Sequence, residues 1–221
     1  MNFDQYLENL PGLHSWDGGR SWNSGGFGKE QLRAVHGLLC EHGLKRIVET
    51  GAGNTTLTFL FSEPESLFSL CPEANLFERI ERFCTKNGVA LAPLRKRVGY
   101  SEWELPRLLE SNGGGTLDFG LIDGCHGWPT VFVDFFYVNQ LVRVGGCIMV
   151  DDVNLYSVSE LVNMLDEQPG YQRVLDLGKA LVYRKVKVDG YHWEWDKQPY
   201  VARMTRRRSR LISALRKRLK I

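Results

Sequence analysis

With 221 residues, 43% of them hydrophobic and 24% charged, the chain can bury a sizeable core, which excludes a wholly disordered polymer and fits one α/β domain with short additions at its ends. Its formal net charge of +2 conceals an asymmetry: Lys197 to Ile221 holds ten basic and no acidic residues, leaving 18 basic against 26 acidic, a net of −8, for the rest. Five cysteines (Cys40, Cys71, Cys84, Cys125 and Cys147), odd in number and without a Cys-x-x-Cys pair, argue against a disulfide framework or a structural zinc site and predict reduced core thiols. The apolar stretch from Val131 to Val142 is broken by Asp134, Asn139 and Gln140, and the first residues lack a basic then apolar leader pattern, so a cytoplasmic protein is expected.

In chain order, residues 1–28 are rich in Gly, Trp, Ser and Asn and read as an irregular loop or lid. Lys29 to His42 carries apolar residues at Leu32, Val35, Leu38 and Leu39, the spacing of a helix with one buried stripe, closed by Gly43. Lys45 to Val48 then runs as a strand into Glu49-Thr50-Gly51-Ala52-Gly53-Asn54-Thr55-Thr56, a glycine turn whose backbone a ligand can approach, followed by a short helix over Thr55 to Phe61. Leu67 to Cys71 predicts a second strand and Ala74 to Asn87 a helix ended by Gly88. The third strand falls at Val89 to Leu91 or at Arg95 to Gly99. Ser101-Glu102-Trp103-Glu104 has the pattern of a capping box opening the next helix, which the glycines at 113–115 stop.

Leu117 to Asp123 and Gly146 to Val150 are apolar runs of strands buried on both faces, with Val131 to Val144 helical between them. This alternation predicts a Rossmann-like, doubly wound, mostly parallel seven-stranded sheet. Tyr171 to Asp176 and Ala180 to Val188 are joined by Leu177-Gly178-Lys179, too short for a crossover helix, and close the sheet as a C-terminal antiparallel hairpin. The domain is expected over 29–190, followed by a basic tail over 191–221.

In such a sheet ligands bind beyond the carboxyl ends of the strands, and three of those ends are polar. The first strand ends at Glu49, the fourth at Asp123-Gly124-Cys125-His126, and the fifth at Asp151-Asp152. Carboxylates at apolar strand ends are costly unless they bind something, so they point to a shared crevice.

Together, Val48 to Thr56, Leu121-Ile122-Asp123-Gly124-Cys125-His126 and Gly145 to Asp152 resemble the class I S-adenosylmethionine-dependent methyltransferases. More narrowly, they are similar to a bacterial small-molecule group whose fourth strand ends in Ile-Asp-Gly-x-His. The resemblance covers roughly residues 30–188. It implies that the methionine part of S-adenosylmethionine lies against Glu49, Gly51 and Gly53, with Asp123 near its ammonium and Thr50, Asn54, Thr55 and Gly124 alongside. It further implies that Glu73 meets the ribose, although Cys71 stands at the commoner position, and that Tyr100-Ser101 flank the adenine where many relatives have Asp-Ser. His126 is the best placed base for a hydroxyl acceptor, with Asp151 beside it as a catalytic acid group. Asp123, Asp151 and Asp152 can instead hold Mg²⁺, as in metal-dependent O-methyltransferases. The implied activity is methylation, most readily at oxygen, of a small-molecule or glycan-type acceptor.

Other readings compete. The glycine turn also suits a nicotinamide-dependent oxidoreductase, but Thr56 stands where a third glycine belongs. His126 can be a structural histidine, Asp151 and Asp152 can cap the helix that starts near Ser157, Cys125 can be a nucleophile, and Trp16, Trp22 and Trp128 can line an acceptor pocket. From Arg203 onward, Leu211, Ile212, Leu215 and Leu219 fall at helical spacing among seven nearby basic residues. Such a helix suits an anionic membrane surface, with peripheral attachment, or nucleic acid, or a neighbouring subunit in a homo-oligomer; its bland alternative is a solvated tail. A catalytically silent cofactor-fold module acting through that tail is the reading from outside enzymology.

Overall fold

The computed structural model describes residues 1–10, 26–188 and 194–219. The first element is already a departure from the expected loop: Phe3–Glu8 forms helix α1, opened by a reciprocal cap in which Gln5 N donates to Asn2 Oδ1 at 2.9 Å and Asn2 N to Gln5 Oε1 at 3.0 Å. Gly, Trp and Ser further along obscured this turn in the composition. Tyr6 is buried and its hydroxyl donates to Asn54 O at 3.2 Å, which fastens α1 beneath the glycine turn.

The rest alternates as predicted: α2 (Lys29–Glu41), β1 (Arg46–Thr50), α3 (Asn54–Phe61), β2 (Ser66–Cys71), α4 (Ala74–Asn87), β3 (Leu94–Val98), α5 (Ser101–Asn112), β4 (Leu117–Ile122), α6 (Thr130–Leu141), β5 (Val142–Val150), α7 (Tyr156–Glu167), β6 (Tyr171–Asp176), β7 (Leu181–Lys185) and α8 (Pro199–Leu219). The seven strands form one sheet in the order β3-β2-β1-β4-β5-β7-β6. The first five are parallel, and β7 joins β5 antiparallel with β6 antiparallel at its outer edge. The strand order reverses between β1 and β4, the place where a doubly wound sheet opens a crevice.

Two apolar layers sandwich the sheet, and the strands supply them alternately. Ile47, Phe119, Leu121, Cys147 and Met149 face the layer built with α1 to α4. Val48, Ile122, Ile148 and Val150 face the layer built with α5, α6 and α7. This period of two is what β geometry imposes on strands buried on both faces.

One open boundary is settled and two expectations are corrected. The third strand takes the later alternative, because Arg95 to Val98 pair in register with Phe68 to Cys71. Ser101 does not cap α5: Tyr100 occupies the cap position without a side-chain bond, while Ser101 is buried in the first turn and Glu104 engages Arg107 and Arg97. Finally, α6 stops at Leu141 and the chain turns at once into β5, where Gly145 (φ +86°) absorbs a register irregularity opposite Leu117 and Phe119.

Candidate active site

The first wall of the site is the glycine turn. Gly51 adopts φ +90°, and a Cβ there would stand 2.3 Å from the carbonyl oxygen of Asp123, so only glycine lets β1 and β4 end this close together. Asp123 N donates to both Thr50 O and Thr50 Oγ1, each at 3.2 Å, which locks the two strand ends in register. Glu49 lies below this contact, fully buried, and its carboxylate accepts from Thr55 Oγ1 at 3.0 Å and Thr56 Oγ1 at 2.5 Å. Burial pushes it up to about 7, against the hydrogen bonds from Thr56, Ser69 and Thr55. Gly53 N donates to Thr56 Oγ1 at 2.9 Å, so the threonine at the expected third-glycine position closes the turn through its hydroxyl.

Above the turn opens a cavity of about 470 Å³. Of the predicted residues, Gly51, Glu73, Tyr100, Ser101, Asp123, Gly124, His126, Asp151 and Asp152 line it. Glu49, Thr50, Gly53, Asn54 and Thr55 do not; they support the turn from beneath. For Glu49 the arrangement is local, since Thr55 and Thr56 donate to its carboxylate from the first turn of α3. Asn54 is buried there with neither side-chain polar atom paired.

The acids converge where β4 and β5 end. Asp151 is buried, and its Oδ1 has no hydrogen-bond partner. Asp152 adopts φ +50°, a left-handed conformation uncommon for a non-glycine residue and the kind of strain that collects at functional sites. Burial, and then the neighbouring Asp151 carboxylate, push Asp123 well above the usual carboxylate range. His126 stands between them: Nε2 lies 3.7 Å from Asp123 Oδ1 and Nδ1 3.6 Å from Asp152 Oδ2, too long for hydrogen bonds, and Nε2 is buried without a partner. Its backbone carbonyl accepts from Ser157 Oγ, which fixes the loop to α7. Neither Asp151 nor Asp152 caps that helix, whose cap position is Leu155.

Sequence reasoning missed three participants. Lys179, in the β6–β7 turn, places Nζ 3.0 Å from Asp151 Oδ2 and 3.3 Å from Asp152 Oδ1. Burial works against its charge, but Asp151 and Asp152 overcome that and hold the ammonium above its ordinary range. Phe27, almost fully buried, lies across the same ammonium at 4.5 Å. Asp134 is buried on α6 behind the wall, 3.2 Å from where a Gly124 Cβ would stand, and burial pushes it up to about 6 despite Ser101 and Thr50. The only available sequence signal was a charged residue interrupting the apolar run of α6.

Trp128 is exposed outside the cavity, and Trp16 and Trp22 lie outside the described residues. Cys125 lines it and, like Cys40, is exposed, whereas Cys71, Cys84 and Cys147 are buried, so only three thiols belong to the core. The tail is helical and its first turn is docked: Tyr200 Oη donates to Glu160 Oε2 at 2.7 Å and Arg203 pairs with Glu167, both acids on α7 of the same chain. Beyond that, Arg206, Arg207, Arg208, Arg210, Leu211 and Ile212 are exposed. No described helix is long and apolar enough to cross a membrane.

No protein-family model and no curated protein sequence matches the chain. Solved structures do. The O-methyltransferase TomG from Streptomyces achromogenes, in complex with SAM, is 18% identical over 81% of this chain and 90% of its own, with a TM-score of 0.68. The SAH-bound methyltransferase PaMTH1 from Podospora anserina is 15% identical over 83% of this chain and 94% of its own, with a TM-score of 0.64. A methyltransferase from Geobacter sulfurreducens is 15% identical over 81% and 93%, with a TM-score of 0.63. The fold is that of class I methyltransferases. In this methyltransferase fold the added β6–β7 hairpin is what carries Lys179 to the strand ends.

The acids fit a cationic guest such as S-adenosylmethionine: a buried Asp151 oxygen lacks a partner, and Asp123 is held toward its neutral form until positive charge arrives. A divalent metal fits less well. Asp123, His126 and Asp151 each offer one ligand atom within 4.8 Å of the others, yet Asp151 and Asp152 already share the Lys179 ammonium.

Proposed function

We propose that the chain is an S-adenosylmethionine-dependent methyltransferase that methylates a hydroxyl of a small-molecule or glycan-type acceptor. The observation that carries this reading is the convergence of Asp123, His126 and Asp151 on one cavity beside the Gly51 turn, at the strand-order switch of a methyltransferase fold. A cavity walled by carboxylates favours a sulfonium and an ammonium over the phosphates of a nicotinamide dinucleotide. Thr56, whose hydroxyl is committed to Gly53 and Glu49, further sets this turn apart from a three-glycine dinucleotide site.

When bound, S-adenosylmethionine supplies an electrophilic methyl group on sulfur. Asp123 and Asp151 would neutralise its positive charge, and Tyr100, Ser101 and Glu73, which also line the cavity, would hold its nucleoside. His126 Nε2, buried and unpartnered, would accept the proton of an acceptor hydroxyl as the oxygen bonds to the methyl carbon and the carbon–sulfur bond breaks, with S-adenosylhomocysteine leaving. Asp123 and Asp152, on either side of the ring, would stabilise the resulting imidazolium.

Calorimetry with S-adenosylmethionine and S-adenosylhomocysteine, set against NAD(H), tests the cofactor; failure to bind either sulfur compound would remove the reading. With an acceptor in hand, His126→Gln is expected to lower kcat about a hundredfold or more while S-adenosylhomocysteine affinity stays within a few-fold. Full turnover in that variant would strip His126 of its role.

A further inference from the structure

The metal-binding expectation placed Asp151 and Asp152 beside a divalent cation, and their geometry instead carries a cation of the chain's own. Lys179 Nζ bridges the two carboxylates at 3.0 and 3.3 Å. Further contacts cover this ammonium and fix the turn that carries it. Its side chain is only 23% exposed, and the Phe27 ring covers it at 4.5 Å. Lys179 O accepts from Val153 N at 2.9 Å, tying the β6–β7 turn to the loop that carries both acids. The turn itself is closed by Leu177 N donating to Ala180 O at 2.9 Å, with Gly178 at φ +78°. These bonds fix the backbone from which the lysine reaches the two acids.

We propose that Lys179 is the resident cation of this site: it takes the place at Asp151 and Asp152 that a divalent metal would occupy, and makes the chemistry independent of metal. This rests on the methyltransferase reading and deepens it. A dication entering beside a fixed ammonium meets like charge at contact distance, and Mg²⁺ demands near-octahedral oxygen ligands that two lysine-bonded carboxylates do not offer. Lys179 is thereby a positioning residue. It engages Asp151 Oδ2 and Asp152 Oδ1, and so fixes the two carboxylates beside Asp123 and His126.

The test uses the full chain. Calorimetry with S-adenosylhomocysteine comes first, because absent binding there defeats the methyltransferase reading and not this one. Wild-type protein is then titrated with Mg²⁺ and with Mn²⁺, and S-adenosylhomocysteine binding is repeated with a chelator. The expected result is no saturable metal uptake at millimolar concentration, and cofactor affinity that the chelator leaves unchanged. Lys179→Met, which keeps an unbranched side chain one atom shorter and removes the charge, is expected to take up Mn²⁺, with a melting temperature that rises on adding metal; Lys179→Arg is expected to remain metal-insensitive. Saturable uptake by wild type that Asp151→Asn abolishes would overturn the proposal, as would a folded Lys179→Met protein that takes up no metal. Should Lys179→Met not fold, the wild-type titration decides alone: uptake overturns the proposal and its absence upholds it.

Discussion

The two ends of β4 carry an aspartate each, and the two have opposite fates. Asp118, near the start of the strand, accepts from Arg46 Nη2 at 3.0 Å, Arg143 Nε at 2.7 Å and Arg46 N at 2.9 Å. Burial alone would raise it, but those partners pull it down to about 2. Asp123, just past the other end, meets burial and a second carboxylate, and it is driven up instead. Burial acts upward on both, and the partners decide the outcome: at Asp118 the arginines oppose it, and at Asp123 the Asp151 carboxylate adds to it. The first end is a fastening; the second holds unsatisfied polarity in reserve for a guest, which marks a site rather than a scaffold.

This contrast can be broken in three ways. The largest effect is expected at the reactive end: in Gly51→Ala the new Cβ meets the Asp123 carbonyl at 2.3 Å with φ at +90°. Stability should fall by about 4 kcal/mol, read by chemical denaturation, with loss of S-adenosylhomocysteine binding. An alanine variant as stable as wild type would mean that the strand ends are not pinned there.

Next comes Glu49→Gln. The glutamate rises from 4.5 to about 7 on folding, so its contribution is complete below 4.5 and is lost as pH climbs through 7. Denaturation between pH 4.5 and pH 8 should show wild type losing up to about 3 kcal/mol that the Gln variant keeps. Parallel curves for the two proteins would show that Glu49 is ionised throughout.

The smallest effect belongs to the fastening end. Asp118 falls from 3.8 to about 2 on folding, so its contribution is present above 3.8 and is lost as pH drops through 2. Asp118→Asn should cost about 2 kcal/mol at neutral pH, flatten that acid limb, and leave S-adenosylhomocysteine affinity untouched. Weakened cofactor binding in this variant would erase the distinction between the two ends.

Much of this site was legible along the chain. Gly51, Asp123 and Asp151 each sit at a junction where an apolar run stops, and local pattern suffices to find such junctions. Glu49 stands beneath the cavity instead of in its wall, and its carboxylate accepts from Thr55 and Thr56 in the first turn of α3, a pairing that the strand-end pattern did not announce. α1 was hidden within a polar, glycine-rich segment, and the basic tail gave no sign that Glu160 and Glu167 would receive its first turn.

The sequence by itself determined the alternation of strands and helices, the glycine turn and the acids at the strand ends, because periodicity and turn chemistry act between neighbours. Only the tertiary structure decided which charges meet. Lys179 lies 28 positions beyond Asp151, on a hairpin whose pairing with β5 is set by sheet register, and nothing local records that its ammonium will stand between Asp151 and Asp152. Asp134 and Phe27 reach the site in the same way, through packing across elements. Whether this crevice holds its own cation or borrows a metal is therefore a property of the folded sheet.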